Sequence, residues 1–347
     1  MIPVKEYVDE LRETVHEQKS LLSEYDGCTI LLSGAAGLIG SYLCDLLIVA
    51  HRELGIGVRI LACDRNTELL NKRFPLDCED VVVRFPIDIC KDELPKEKSD
   101  YIIHAASNTS PVDYATKPID TVWTNVCGAK RLLDHCVNVK ARRFLFCSSV
   151  EAYGKNNGDV DRFCESYSGY VDCNTVRAGY PSAKRCVEAL CNAYAAECQG
   201  FEFVTARIGR YFGPTVVPGD TKAPSQFIGN AVRGEDIVLK SAGTQLFSWG
   251  YVGDCATALL TLLVKGKAGE AYNVADPEPC RLRDFASCAA AAAGTNLVFV
   301  EQSATEQAAY SKVDKATMDI RKLQSLGWEP SLSIMAGIER TVRMLKI

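Results

Sequence analysis

The sequence predicts an α/β fold, a doubly wound parallel sheet with a smaller mixed lobe toward the carboxyl terminus. Two observations predict it. From Thr29 to Ile208, short apolar runs alternate with stretches of helical length. Such alternation calls for a parallel sheet with helices on both faces. A glycine trio, Gly34, Gly37 and Gly40, follows the first apolar run and opens the first long helical stretch.

Taken in order, residues 1–26 read as a helical extension. Val4, Val8, Leu11, Val15 and Leu22 recur near a spacing of 3.6 and form one apolar stripe. The stripe suits packing on the same chain or contact with a second copy. Thr29–Ser33, Val58–Asp64, Val81–Phe85, Tyr101–His104, Arg143–Ser148 and Glu202–Ile208 read as buried strands, bounded by Gly, Asp, Asn or Ser. Leu38–Arg52, Thr121–Asn138 and Tyr180–Gln199 read as helices between them. After Gly213 the pattern is less regular. Helices are expected at Pro224–Arg233 and Asp254–Lys265, with Ala289–Ala293 as one helix face. Short strands are expected at Ile237–Lys240, Ala271–Val274 and Leu297–Val300.

Composition narrows the function. A chain of 347 residues buries about 75% of its unfolded surface and needs no disulfides to hold a core. Net charge is -5, with no basic excess to neutralise nucleic acid phosphates. Sixteen cysteines with no Cys-x-x-Cys pair, and only four histidines, read as small buried thiols rather than a metal or disulfide framework. No apolar run approaches about 18 residues, the length a membrane helix needs. Residues 1–18 are charged and carry no signal-peptide core. A cytoplasmic protein without membrane or metal partners is expected.

The glycine trio has a physical reading. A tight turn needs unusual dihedrals, a pyrophosphate needs bare backbone, and the following helix must pack close. Leu38 and Ile39 then present free N–H groups at a positive helix end. Asp64 closes the second strand, placed to accept hydrogen bonds from a ribose. It repels a 2′-phosphate. Two unit charges about 4 Å apart cost about 4 kcal/mol at an effective dielectric near 20. NAD is therefore expected over NADP, with Arg65 softening the repulsion. Asp88, after the third strand, suits an adenine amino group or an ordinary turn.

Tyr180 and Lys184 stand four apart and share a helix face. A phenol with a reference pKa near 10 becomes a base when Lys184 and a positive nicotinamide ring favour its anion. Ser149 and Glu151 lie at the carboxyl end of the fifth strand, where open parallel sheets bind ligands. Ser149 suits a hydrogen bond to a substrate oxygen, or a strand-end cap. Glu151 suits proton transfer, or a buried structural carboxylate.

These pieces occur in a characteristic order. Gly34-x-x-Gly37-x-x-Gly40, His104-Ala-Ala, Asn125-Val-Cys-Gly128, Ser148-Ser149-x-Glu151-x-Tyr153-Gly154, Tyr180-x-x-x-Lys184 and Arg207–Pro214 resemble the NAD-dependent epimerase/dehydratases, which are extended short-chain dehydrogenases/reductases. Leu326-Gly-Trp328-x-Pro330, Gly337-Ile338 and Thr341 resemble their closing helix. The resemblance spans residues 28–345. It implies a Rossmann-type domain holding NAD, mainly 27–212, and a sugar-nucleotide lobe, mainly 213–347, with some segments returning to the first. It adds Ile89, Ala105, Ala106, Ser107 and Asn125 to Gly34, Gly37, Leu38, Ile39, Gly40, Asp64, Arg65 and Asp88 as cofactor contacts, with Tyr180 and Lys184. It makes Tyr180 the base for a sugar hydroxyl, and has Lys184 lower its pKa and hold the nicotinamide ribose. Ser149 positions the same oxygen.

The resemblance is closest to UDP-glucuronate decarboxylases, through Glu151 and Arg177-x-x-Tyr180-x-x-x-Lys184-Arg185. Two positions depart from the pattern. Arg210 stands where Asn is usual, and Phe247 stands where an Arg is common. Val150 replaces the Asp of many dehydratases, which weighs against water loss. Extra residues around Tyr167–Val171 reshape the pocket. The leading expectation is an NAD-dependent sugar-nucleotide epimerase acting through a transient 4-keto sugar. Ser149, Arg177, Arg210 and Phe247 are its expected substrate contacts. Decarboxylation or 4,6-dehydration follows in rank, and a non-catalytic NAD-binding protein is the reading from another class. A homodimer through Thr121–Asn138 and Tyr180–Gln199 is also implied.

Overall fold

The computed structural model describes residues 4–109, 114, 116–300 and 313–346. Of the expected amino-terminal extension, residues 1–3 fall outside the described residues. So do 301–312 and 347 of the expected carboxyl-terminal lobe.

Six strands carry the first part of the chain: β1 Thr29–Ser33, β2 Arg59–Asp64, β3 Val82–Pro86, β4 Tyr101–His104, β5 Arg143–Ser149 and β6 Phe203–Ile208. With Ala271–Val274 they form a seven-stranded sheet, ordered Ala271–Val274, β6, β5, β4, β1, β2, β3. Every pairing in it is parallel. Chain order reverses between β1 and β4, so the loops after these two strands part and leave a crevice there. The fold is the α/β, doubly wound Rossmann type.

Both faces are covered, which explains the near-continuous apolar strands. On one face the helices Pro118–Val139 and Gly179–Glu197 seal Leu31, Leu61, Ile102 and Phe144 with Leu132, Leu133, Val187 and Cys191. On the other face Leu38–Leu54 and Val252–Lys265 cover Ile30, Leu32, Ile103 and Val204. The helix ends follow local chemistry. Gly55 closes Leu38–Leu54 at φ 70°, and Pro118 opens Pro118–Val139, where its missing N–H is harmless.

Beyond β6, Gly209 turns the chain into a third layer of small sheets. β7, Arg210–Phe212, pairs with Trp249–Tyr251. Leu246–Phe247 sits between Cys280–Arg281 and Lys315–Ala316. These very short strands escaped the sequence reading because two or three residues carry no period. The expected helix boundaries moved by one to three residues, as fraying ends do. All sixteen cysteines are free thiols, and most are buried.

The amino-terminal extension differs from its expectation. It is two helices, Lys5–Glu17 and Lys19–Ser23, broken at Gln18. Its buried face carries Tyr7, Glu10, Leu11 and Val15, while Val8 of the expected stripe is half-exposed. It packs on Leu38–Leu54 of its own chain. Glu10 is 5% exposed. It accepts from the hydroxyls of Tyr42 at 2.8 Å and Tyr251 at 2.7 Å, and pairs with Arg340 at 3.1 Å. A buried carboxylate persists because three donors from three segments meet it. Glu10→Ala leaves all three without their acceptor. It should lower the unfolding temperature by several degrees in scanning calorimetry, a loss of about 2–4 kcal/mol. Glu10→Gln, which keeps an acceptor, should lose less.

Candidate active site

The crevice between β1 and β4 is built from backbone. Gly34 leaves β1 at φ +77°, and a Cβ there would lie 2.7 Å from the Ala106 nitrogen. A Cβ on Gly40 would lie 2.3 Å from the Gly34 carbonyl oxygen. Gly37 N–H donates to that same oxygen at 3.1 Å and caps the helix that begins with Leu38 and Ile39. The turn, the helix end and the Ala105–Ala106 strand exit therefore touch through main chain. Asp64 is locked beside the turn: its carboxylate accepts from Ala36 N at 3.1 Å and Asn66 N at 2.9 Å. Arg65 is exposed. Asp88 accepts from Cys90 N at 2.9 Å and lies 3.6 Å from Lys91, so an ordinary turn already uses it. Ile89 is buried beneath Gly128, where a Cβ would approach it to 2.7 Å.

Further along the crevice, Ser107 donates to the Asn125 side chain at 2.9 Å, and Asn125 donates to Thr121 O at 2.8 Å. The set fits a dinucleotide. Bare backbone and a helix amino end suit the pyrophosphate, and a carboxylate one strand away suits a ribose.

The reacting groups stand at the other end. Tyr180 and Lys184 are 6% and 3% exposed on the first turns of Gly179–Glu197. Lys184 donates to Cys147 O at 2.9 Å and lies over the Phe146 and Tyr180 rings at 4.9 and 5.5 Å. Burial pulls its pKa down to about 8. Burial and the nearby Glu151 carboxylate push the Tyr180 phenol above its ordinary value, while hydrogen bonds with Ser149, Ser107 and Tyr114 pull it down. Ser149 also accepts from Glu151 N at 3.2 Å, so it caps the strand end as well as meeting the phenol.

Tyr114 was not foreseen. Its ring stacks on Tyr180 at 4.8 Å and 23°, and the Arg177 guanidinium lies 5.3 Å from the Tyr114 ring centre. A lone aromatic in a polar stretch of sequence offers no spacing by which the sequence could reveal it. Arg177 also pairs with Glu151 at 3.0 Å.

A cavity of about 160 Å³ opens here, lined by Glu151, Tyr170, Arg177, Arg210 and Lys315 among others. The extra segment contributes to it through Tyr170 and Val171, and is pinned by Lys155 N donating to Tyr170 O at 2.9 Å. Arg210 lies 3.8 Å from the centre of the Phe247 ring. The fold thus brings Glu151, Arg177 and Arg210 to one pocket, with Phe247 against Arg210, and it sets Lys184 beside Tyr180, whose ring reaches the pocket's Arg177 through Tyr114. Among the described residues, no three His, Cys, Asp or Glu side chains form a metal-binding group, and no helix is long and apolar enough to cross a membrane.

Residues 30–275 match the model of the NAD dependent epimerase/dehydratase family. The chain belongs to that family. As a member, it is an NAD-dependent epimerase/dehydratase-type enzyme. It is similar to UDP-glucuronic acid decarboxylase 1 of Danio rerio, 30% identical over 98% of this chain and 80% of the relative. Among solved structures, it shares its fold with an epimerase from Methanothermobacter thermautotrophicus, at TM-score 0.82 and 22% identity, covering 95% of each chain. It also shares it with Thermus thermophilus UDP-glucose 4-epimerase in complex with NAD, at TM-score 0.76 and 20% identity, covering 92% of this chain and 99% of that one.

The contact at Gly40 gives a test of the cofactor crevice in this family member. A methyl group at 2.3 Å from the Gly34 carbonyl must move backbone. Gly40→Ala should weaken NAD binding at least tenfold by titration calorimetry, a loss of ~1.4 kcal/mol or more. Unchanged affinity would place the pyrophosphate elsewhere.

Proposed function

We propose that this enzyme is an NAD-dependent sugar-nucleotide epimerase working through a transient 4-keto sugar. The observation that carries the reading is the buried Tyr180, stacked on Tyr114 and with the Lys184 ammonium 5.5 Å from its ring, beside a crevice fitted to a dinucleotide. Tyr180 takes the proton of the sugar C4 hydroxyl. Ser149 holds the same oxygen, and the neighbouring hydroxyls stabilise the phenolate by hydrogen bonding. Lys184, anchored on Cys147 O, holds the nicotinamide ribose. Bound NAD would supply the hydride acceptor for C4. It would lie along Gly34, Gly37, Leu38, Ile39 and Gly40, with Asp64 and Arg65 at the adenosine ribose. Asp88 and Ile89 would flank the adenine, and Ala105, Ala106, Ser107 and Asn125 the nicotinamide half. Residues 27–212 serve mainly the cofactor and 213–347 mainly the substrate, with Ala271–Val274 among the segments returning to the large sheet.

Epimerisation is favoured over dehydration by the residues at the strand end. Val150, standing where many dehydratases carry an Asp, is buried beside Glu151, and Glu151 is held by Arg177. Decarboxylation is the second reading, favoured by a relative named as a UDP-glucuronic acid decarboxylase and by the cation at Arg210. A purely structural use of NAD would leave the grouping of Ser149, Tyr180 and Lys184 without purpose. The sixteen unbridged thiols support a reduced, cytoplasmic setting.

Incubation with NAD and either UDP-glucose or UDP-glucuronic acid should give a product of unchanged mass and new chromatographic retention. Loss of carbon dioxide from UDP-glucuronic acid would replace epimerisation by the second reading. Tyr180→Phe should abolish turnover and keep NAD binding. Undiminished turnover in that variant would remove Tyr180 as the base.

We also propose a homodimer through the helices Pro118–Val139 and Gly179–Glu197. The first of them carries Ile119 and Trp123 at 80% and 61% exposure, an apolar group suited to a second copy. Light scattering should give twice the chain mass at micromolar concentration, and Trp123→Glu should reduce it to the single mass. A wild-type monomer would remove this interface.

A further inference from the structure

The charges lining the sugar pocket do not balance. Arg177 is neutralised by Glu151 at 3.0 Å. Lys315 is paired with Asp161. Asp172 accepts from Asn174 N at 3.1 Å and from the Tyr170 hydroxyl at 3.4 Å. Arg210 is left over. Among the described residues no hydrogen bond or ion pair reaches its guanidinium, which rests over the Phe247 ring at 3.8 Å. A guanidinium keeps its charge and carries five donors. Arg210 is half-buried in the wall of the cavity, so its donors are open to a ligand that enters there. Packing one face on a ring leaves its edge donors directed for a planar, two-oxygen acceptor.

Arg210 and Phe247 are also the two positions at which the sequence departs from its family pattern. The structure puts these two side chains in contact. They act as one change: an aromatic wall at 247 supports a cation supplied from 210.

The acceptor has two possible sources in a sugar nucleotide, the diphosphate and an anionic group on the sugar. Location favours the sugar. Arg210 shares the wall of one cavity with Glu151 and Arg177, Arg177 pairs with Glu151 at 3.0 Å and lies over the Tyr114 ring, and that ring stacks on Tyr180. Arg210 therefore belongs to the end of the pocket where chemistry occurs. We infer that Arg210, seated on Phe247, is the receptor for a carboxylate on the sugar ring, and that the pocket selects uronate sugar nucleotides over neutral ones. This rests on the sugar-nucleotide reading above. It is independent of whether the carboxylate is afterwards kept or lost.

Binding tests it without turnover. In the Tyr180→Phe background with NAD present, titration calorimetry compares UDP-glucuronic acid, UDP-glucose and UDP. The expected result is a 10–100-fold preference for UDP-glucuronic acid over UDP-glucose, as for one charge-assisted bidentate contact. Adding Arg210→Asn should bring that ratio near one. Adding Arg210→Lys, which keeps the charge but not the fork, should leave an intermediate ratio and serves should the Asn variant fail to fold. A ratio near one before either substitution, or a preference that survives Arg210→Asn, overturns the inference. Equal weakening of all three nucleotides by Arg210→Asn assigns Arg210 to the diphosphate and overturns it as well. Failure of all three to bind before Arg210 is changed would instead overturn the sugar-nucleotide reading itself.

Discussion

The structure depends on a place where three backbone segments meet with no room for a side chain. Gly34, Gly40 and the Ala105–Ala106 link come within about a bond length or two of where a Cβ would stand. This contact sets the depth of the crevice between β1 and β4. It also aims the helix Leu38–Leu54 so that its amino end faces the crevice and its apolar length covers the sheet. Everything downstream is positioned from there: Asp64 braced against Ala36 on one side, and Ser107 with Asn125 on the other.

The second constraint is electrostatic. Tyr180 and Lys184 are polar groups withdrawn from water, and burial opposes the charged form of each. Lys184 is satisfied by a carbonyl, and Tyr180 by hydroxyls. Burial thus turns ordinary side chains into a poised set: a lysine near the middle of the accessible pH range and a phenol that ionises only with hydrogen-bond donors around it. The stack of Tyr114 on Tyr180, with Arg177 over Tyr114, fixes the phenol's ring as the hydroxyls fix its oxygen.

Strength at the periphery comes from a different arrangement. Glu10 ties the amino-terminal helix to Tyr42 in the first long helix, to Tyr251 in the small sheets and to Arg340 in the last helix. The extension is therefore a clasp across both layers. An apolar stripe was visible in its sequence, but the acid at its centre was not, because an isolated glutamate reads as surface until its partners are known.

The sequence by itself determined the alternation of strands and helices, the glycine turn, the acid at the end of β2 and the Tyr180–Lys184 pair. Each is encoded within a few neighbouring residues, where period and spacing are sufficient. Only the tertiary structure decided that Tyr114 covers Tyr180, that Arg177 is engaged by Glu151, and that Arg210 stacks on Phe247. These pairs lie dozens of residues apart and in no common period. Their meeting follows from strand order in the large sheet and from the turn at Gly209 that carries β7 against the short strand Leu246–Phe247. Sequence departures that seemed separate became one feature because the fold placed them in contact.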